Sequence, residues 1–444
     1  RTWTSVSANL PERGSAYSLA EDHVEKNLLF VGTEFSCFFS NDGGKFWKKL
    51  GNGLPTIAVR DMAIQRREND LVLGTFGRGF YVLDDYSPLR HLNERQLNAE
   101  AQIFPVKDGS VFIEAAPIGY TTGKGFQGHS YFTSPNPPMG VSFTYFLKDE
   151  IKTLKQKRQD WEKKQIKDSK EIRYPTYEEL EAETREEASY LLFTIKNSAG
   201  EVVRQLKTNP KKGVNRITWD GRFPSKAPVS LSARERMPWE SPDGGGFALP
   251  GEYSVTLSKS VNGVLSELVV PQRFKLNTLG GTTLPATDKA ALDKYVREAV
   301  ELQRAWDGAT SSLGDLENRV KHIRQAIQTI GSPASLLTDL KSLEQKVADL
   351  KKIFYGDATA SKIDRPHAPS LGDRMGAMGY DIWNSTSAPT ATQKEQLAIS
   401  GKLFQQELPK LKKLYEEDLR RIEQQLESAK APYTPGRLPV WGKE

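Results

Sequence analysis

The stretch Ser40-Asn41-Asp42-Gly43-Gly44-Lys45-Phe46-Trp47, SNDGGKFW, decides how the N-terminal part of this chain folds. Asp42 is placed to accept hydrogen bonds from nearby backbone N–H groups, Gly43 and Gly44 supply the positive φ of a tight turn, and Trp47 returns an aromatic face between sheets. The run predicts a hairpin turn. Around it the chain repeats itself: WTSVSANLP (Trp3 to Pro11) aligns with WKKLGNGLP (Trp47 to Pro55) at an offset of 44, and NLLFVGTEFSCFFS (Asn27 to Ser40) aligns with NDLVLGTFGRGFYV (Asn69 to Val82) at an offset of 42. Repeats of about 40–45 residues, made of short β-rich runs with glycine turns, are the pattern of propeller blades.

These residues resemble the Asp-box, or BNR, repeat Ser-x-Asp-x-Gly-x-Thr-Trp of sialidases, sortilin-type receptors and xyloglucan-cleaving propellers. Ser40, Asp42, Gly44 and Trp47 match, and Phe46 stands where Thr is usual. The resemblance implies a structural role for these four, on the outer rim of a blade. Arg1-Thr2-Trp3 looks like the tail of a preceding Asp-box. Because a propeller takes at least about four blades to close, and the repeat here accounts for only part of that, the remainder is expected upstream in a longer polypeptide.

The run GTFGRGFYVLDD (Gly74 to Asp85) sets glycines around Phe76 and Arg78, a tight turn able to present Arg78 as an anion contact. Together with PNPPMGVSFTYFLKD (Pro135 to Asp149), it resembles the C-terminal part of large bacterial exported proteins described as sortilin-like or BNR-repeat glycosyl hydrolases, a resemblance that runs through most of the chain. It implies a secreted, periplasmic or cell-surface location, with any signal peptide upstream. Phe76 occupies the position of His in members reading GTHGRG, which argues against proton chemistry at this turn. A glycoside hydrolase needs two carboxyl groups about 5–10 Å apart, and Asp61, Asp84 and Asp85 sit in strand or turn positions that single out no such pair. Catalytic residues are therefore unassigned. The candidate ligand contacts are Arg78, Phe76, Asp61 and, on the Gly/Pro-rich loop WESPDGGGFALPG, Trp239, whose exposure would favour carbohydrate stacking.

Length and composition bound the rest. A chain of 444 residues exceeds one ordinary core. Its 62 Lys and Arg against 56 Asp and Glu are interleaved, which disfavours nucleic acid as a partner. Cys37 is the sole cysteine, so no intrachain disulfide or cysteine-based metal site forms, and the five histidines are scattered. No metal or cofactor is expected. No apolar run approaches the roughly 18 residues of a membrane span.

From about Ile103 the runs VFIEAAP, VSFTYFL, YLLFTIKN, EVVRQL, NRITWDG, GEYSVTL and ELVVPQRFKL, punctuated by Ser198-Ala199-Gly200, Asp220-Gly221 and Pro250-Gly251, predict a β-sandwich. GVNRITWDGRFP followed by LPGEYSVTL resembles immunoglobulin-like modules of exported bacterial proteins, which implies Trp219 in the core and Asp220-Gly221 as a hairpin turn. The dense mix of charges from Lys148 to Ser189 reads as a solvated helical excursion with i to i+4 pairs around Glu179 and Arg185. Beyond Leu284-Pro285 the period becomes helical: Thr287-Asp288 caps a helix carrying Leu313, Leu316, Val320, Ile323, Ile327 and Ile330, and Gly331-Ser332-Pro333 stops it. A second helix carries Leu336 to Phe354 and a late one Phe404 to Leu426, with Met375, Met378, Tyr380 and Trp383 between them as helix-docking core or pocket lining. Short connections favour an antiparallel bundle.

The expected architecture is multidomain, β plus α: terminal propeller blades over residues 1–92, an immunoglobulin-like sandwich over 93–280 with a helical insertion at about 150–189, and a C-terminal antiparallel helical bundle with an extended tail over 281–444. The expected function is a binding or scaffold module that holds protein or polysaccharide at the propeller face, its propeller completed by the upstream part of the same polypeptide. The alternative is a propeller-type glycoside hydrolase whose active-site carboxylates lie mainly in upstream blades.

Overall fold

The computed structural model describes residues 2–51, 53–92, 97–112, 128, 130, 136–231, 244–279, 286–331, 334–379 and 385–441. Trp239, Tyr380, Trp383, Leu284-Pro285 and Ser332-Pro333 lie outside the described residues. The protein is a mixed β and α structure with several sheets and a helical C-terminal region. It divides into two compact units, Arg1–Val111, Phe132–Gly221 and Pro250–Thr278 forming the first and Phe112–Tyr131, Arg222–Leu249 and Leu279–Glu444 the second.

In the first unit, β1 (Ala16–Glu21), β2 (Leu29–Thr33), β3 (Cys37–Ser40) and β4 (Lys48–Lys49) form one antiparallel meander. A second meander is β5 (Val59–Gln65), β6 (Asp70–Thr75) and β7 (Phe80–Leu83). The offset of 42 in the sequence maps β2 and β3 onto β6 and β7, so the internal repeat is built as equivalent hairpins. Alternation places Phe30, Phe39, Leu71 and Leu73 on the buried faces, where they meet Tyr86 and the fully buried Cys37. Phe104 and Phe146 from the next sheets join this cluster.

That neighbouring part has two sheets. One is ordered β13 (Gly213–Trp219), β10 (Val141–Leu147), β8 (Ala101–Ile103); the other is β12 (Val202–Thr208), β11 (Tyr190–Asn197), β14 (Gly251–Val261), β15 (Val264–Thr278), β9 (Gly109–Val111). Their inner faces meet through aromatic rings, Phe143 against Phe274 at 5.3 Å, Tyr145 against Phe193 at 5.0 Å, and Trp219 against Tyr253 at 5.2 Å. Trp219 is fully buried. Asp220-Gly221, in contrast, does not turn a hairpin: after Gly221 the chain leaves the first unit. Gly221 is required there for space and for its φ of 72°, since a Cβ would lie 2.3 Å from Val111. Arg216 of β13 ties this part back to the meanders by donating to the carbonyls of Asp84 and Asp85, each at 2.9 Å.

Between β10 and β11 the excursion forms α1 (Leu154–Lys167) and α2 (Tyr177–Arg185). Arg185 pairs with Glu181 one turn back, as the charge spacing anticipates, whereas Glu179 pairs with Arg173 and caps Thr176.

The second unit is dominated by α3 (Lys289–Ile330), capped by Asp288 and ended by Gly331 in the left-handed region. It packs on α4 (Ala334–Tyr355), and the pairs Glu317–Lys351 and Arg324–Glu344 fix the two as antiparallel. Short helices α5 (Ala358–Lys362) and α6 (Leu371–Gly379) lead to α7 (Ala391–Lys413) and α8 (Arg420–Ser428). The late helix expected as one piece contains a wide π turn at Leu414–Leu419. Leu411, Leu414, Leu419, Ile422 and Leu426 are buried, and their step of five between Leu414 and Leu419 suits a π turn where an α-helix would rotate Leu419 off the seam. Trp306 packs against Phe354 with ring centroids 4.8 Å apart and the planes tilted by 39°. Met378 is fully buried and Met375 nearly so, which makes both helix-docking core; Met375 also borders a cavity of about 490 Å³ shared with Trp306, Gln303 and Asp307.

Candidate functional site

The two meanders lie side by side, β1 next to β5, and their two ends differ in chemistry. Ser18 donates to the Val59 carbonyl at 3.4 Å, which sets the starts of β1 and β5 together. At this end backbone bonds stitch the turns in a row: Glu34 N–H to Ser15 O, Ile57 N–H to Phe35 O, and Phe76 N–H to Ala58 O. The Arg60 guanidinium lies 3.9 Å from the Tyr17 ring centroid and 5.2 Å from that of Phe76. Phe76 is 68% exposed, and Tyr17 and Phe35 are also exposed. Beyond Phe76, Gly77 and Gly79 adopt φ of 79° and 69°, and the Thr75 hydroxyl donates to Gly79 O at 2.7 Å, folding a tight turn with exposed Arg78 at its tip. Asp61, one residue after Arg60, is exposed and accepts from the Met62 N–H at 2.8 Å.

Of the sequence candidates, Phe76, Arg78 and Asp61 therefore belong to one end of one pair of sheets; Trp239 is outside the described residues. Tyr17 and Arg60 were not singled out by sequence, and the partnership that reveals them is long-range. What the arrangement offers is an exposed guanidinium clasped by two rings, a combination suited to a carboxylate or to a sugar face.

The opposite end is closed. Asp22, after β1, has a side chain with no solvent exposure and takes a forked pair from Arg90, Nε to Oδ2 at 2.7 Å and Nη2 to Oδ1 at 2.8 Å. Tyr86 donates to the same carboxylate at 2.6 Å, the Glu25 N–H at 2.8 Å, and Arg90 also reaches Asn69 Oδ1 at 2.7 Å. Burial pushes the Asp22 carboxyl up, but hydrogen bonds from Arg90, Tyr86 and Glu25, with the charge of Arg90, outweigh it and hold the group well below the usual carboxylate range. The same burial, reinforced by Asp22, pushes the Tyr86 hydroxyl up. Arg90 and Tyr86 come from the turn after β7, so the cluster bolts one meander to the other.

The SNDGGKFW turn stands at this closed end. Ser40 donates to Asp42 Oδ1 at 2.7 Å and accepts from the Gly44 N–H at 2.8 Å, while Lys45 and Phe46 N–H each donate to Asp42 Oδ1 at 3.0 Å. Trp47 is buried, its indole N–H donating to Val6 O at 2.7 Å and its backbone N–H to Asn9 Oδ1 at 2.7 Å. Trp3, its aligned counterpart, is 97% exposed; the segment that covers Trp47 has no equivalent over Trp3 among the described residues.

Carboxyl geometry bears on hydrolysis. Burial pushes Asp84 up, and the charge of Asp70 adds to this. In the β5–β6 register Asp61 faces Gly74 while Asp70 faces Gln65, which at about 3.3 Å per residue separates the two acid positions by roughly 13 Å along the strands. Asp85 is a turn former, accepting from the Ser87 hydroxyl at 2.6 Å. Among the described residues no group of three or more His, Cys, Asp and Glu is arranged to hold a metal ion. None of the described helices is long and apolar enough to cross a membrane.

No family model matches the sequence, and no curated protein matches it. Two solved structures, both described as the extracellular domain of BT4673 from B. thetaiotaomicron, one named as a hybrid two-component system and the other as a one-component system, align at 12% identity over 61% and 60% of this chain, with TM-scores of 0.14 and 0.13. The aligned part spans about a quarter of those chains, 26% and 25%. Likeness at that level assigns neither fold nor activity.

Proposed function

We propose that the chain carries terminal blades of an Asp-box propeller, an immunoglobulin-like sandwich and a helical bundle, and acts as an exported binding or scaffold module whose ligand, a glycan or protein bearing carboxylate groups, docks at the open end of β1 and β5. The exported setting, periplasmic or at the cell surface, rests on the Asp-box resemblance. The observation that carries the binding reading is Arg60, lying against the Tyr17 and Phe76 rings, with exposed Arg78 in the turn that follows Phe76. A hydrolytic reading gains no support from Asp61 and Asp70, whose strand positions are farther apart than the about 5–10 Å that glycoside cleavage requires.

The reading is tested on an array of acidic and neutral oligosaccharides, probed with the intact chain and with an Arg60→Ala/Phe76→Ala double variant. Signal on acidic sugars that falls at least about tenfold in the variant, the scale of one lost aromatic or arginine anchor, supports it. Signal that is unchanged by the double substitution, or absent from every sugar and every carboxylate-rich peptide tried, removes this end as the binding site.

A further inference from the structure

The second unit holds a cavity of about 490 Å³, a size common for small-molecule sites. Its wall from α3 carries Val300, Gln303, Trp306 and Asp307, and its wall from α6 carries Met375 and Gly376. Gln303 and Asp307 are one helical turn apart, and the Gln303 amide donates to Asp307 Oδ1 at 2.7 Å. No cation pairs with Asp307 among the described residues. Burial pushes its carboxyl up, against that one side-chain hydrogen bond. Lys226 and Arg304 also line the cavity, but both are held by Glu301, Arg304 Nε at 3.0 Å. A half-buried carboxylate is thus left without a counter-charge.

Trp306 is the second group left short. The residue is 7% exposed, with Phe354, Tyr355 and Phe404 packed against its ring. Its Cζ2, two bonds from Nε1, lies 3.7 Å from the point where a side chain on Gly372 would begin, and Gly372 lines the same cavity. This edge of the indole therefore borders the cavity, and its N–H has no partner among the described residues. Leaving a buried donor and a desolvated anion unmatched is costly, and a bound molecule that supplies an acceptor and a cation removes both costs.

We propose that this cavity binds a small organic amine, its ammonium on the Asp307 carboxylate and an oxygen acceptor of the same molecule on the Trp306 N–H. Charge-assisted bonding fixes the amine end, the indole fixes the oxygen, and Val300 and Met375 cover the carbon chain between them. The site lies wholly in the second unit and is independent of the Arg60 end.

The test uses the intact chain labelled with ¹⁵N in its tryptophans, the Trp306 indole resonance being assigned with Trp306→Phe. The probes are aminopentanol and, as controls of the same length, pentanol and pentanoate. Aminopentanol at millimolar concentration is expected to shift the Trp306 indole signal to saturation, and the controls at least about tenfold more weakly. Asp307→Asn keeps the shape of the side chain and should raise the Kd for aminopentanol at least about tenfold. Gly376→Leu should abolish the shift by filling the cavity; a Cβ there meets nothing within 4 Å, so the backbone accommodates it. Far-UV circular dichroism checks that both variants keep their helices. An indole signal that does not move with aminopentanol, moves equally with all three probes, or still moves fully in either variant overturns the proposal.

Discussion

The two ends of the paired meanders are made from the same strands and spend their charged groups in opposite ways. At the Asp22 end an arginine is fully used: its fork meets a buried carboxylate that a tyrosine and a backbone amide also serve. At the Arg60 end a second arginine lies against exposed rings. A charge that is paired and buried organises the fold, whereas one held by rings and open to water is available to something else. The comparison teaches where stability and recognition are expected to separate.

The largest effect should come from the closed end. Asp22→Ala strands the Arg90 guanidinium and the Tyr86 hydroxyl in a buried site, and losing one partner of such a pair costs about 3–5 kcal/mol, read as a lowered midpoint in urea unfolding of the first unit. Acid should act in the same place. Because the Asp22 carboxyl is held below its unfolded value, its contribution is fully present above the unfolded pKa of about 4 and is lost as pH falls towards the folded pKa. Unfolding followed from pH 6 to pH 2 should therefore show a loss in the native chain that is blunted in Asp22→Asn; an equal slope in both would detach the acid response from this carboxylate.

A smaller loss is expected from Asp42→Ala, which removes acceptors for the Ser40 hydroxyl and two amides at an exposed turn. About 1 kcal/mol is the scale for such a cap-like group, and Ser40→Ala, which also frees the Gly44 amide, should match or exceed it in the same titration. Smallest of all are Arg60→Ala and Phe76→Ala, exposed positions whose effect on the urea midpoint should stay within about 0.5 kcal/mol while binding falls. Destabilisation there as large as at Asp22 would erase the distinction between the ends.

What was legible in the sequence follows the range of the interactions. The SNDGGKFW turn could be read because its hydrogen bonds close within four residues. The Asp22 cluster could not, since Tyr86 and Arg90 lie 64 and 68 residues away. Nor could the clasp on Arg60, where Tyr17 comes from another strand of the repeat. The C-terminal helices were visible in their apolar period, yet the five-residue step from Leu414 to Leu419 passed for part of an ordinary helix. Asp220-Gly221 shows the limit of residue type: the pair suits a hairpin, but Gly221 is there because Val111 leaves no room for a side chain.

Cys37 gives the molecule a clock of its own. Burial pushes its thiol up to about 12 and leaves the side chain without solvent exposure, so alkylation is expected to wait for an opening of the first unit. With a single sulfhydryl in the chain, one mass increment reports that event, without interference from the helical unit. Its rate converts to an opening free energy at about tenfold per 1.4 kcal/mol.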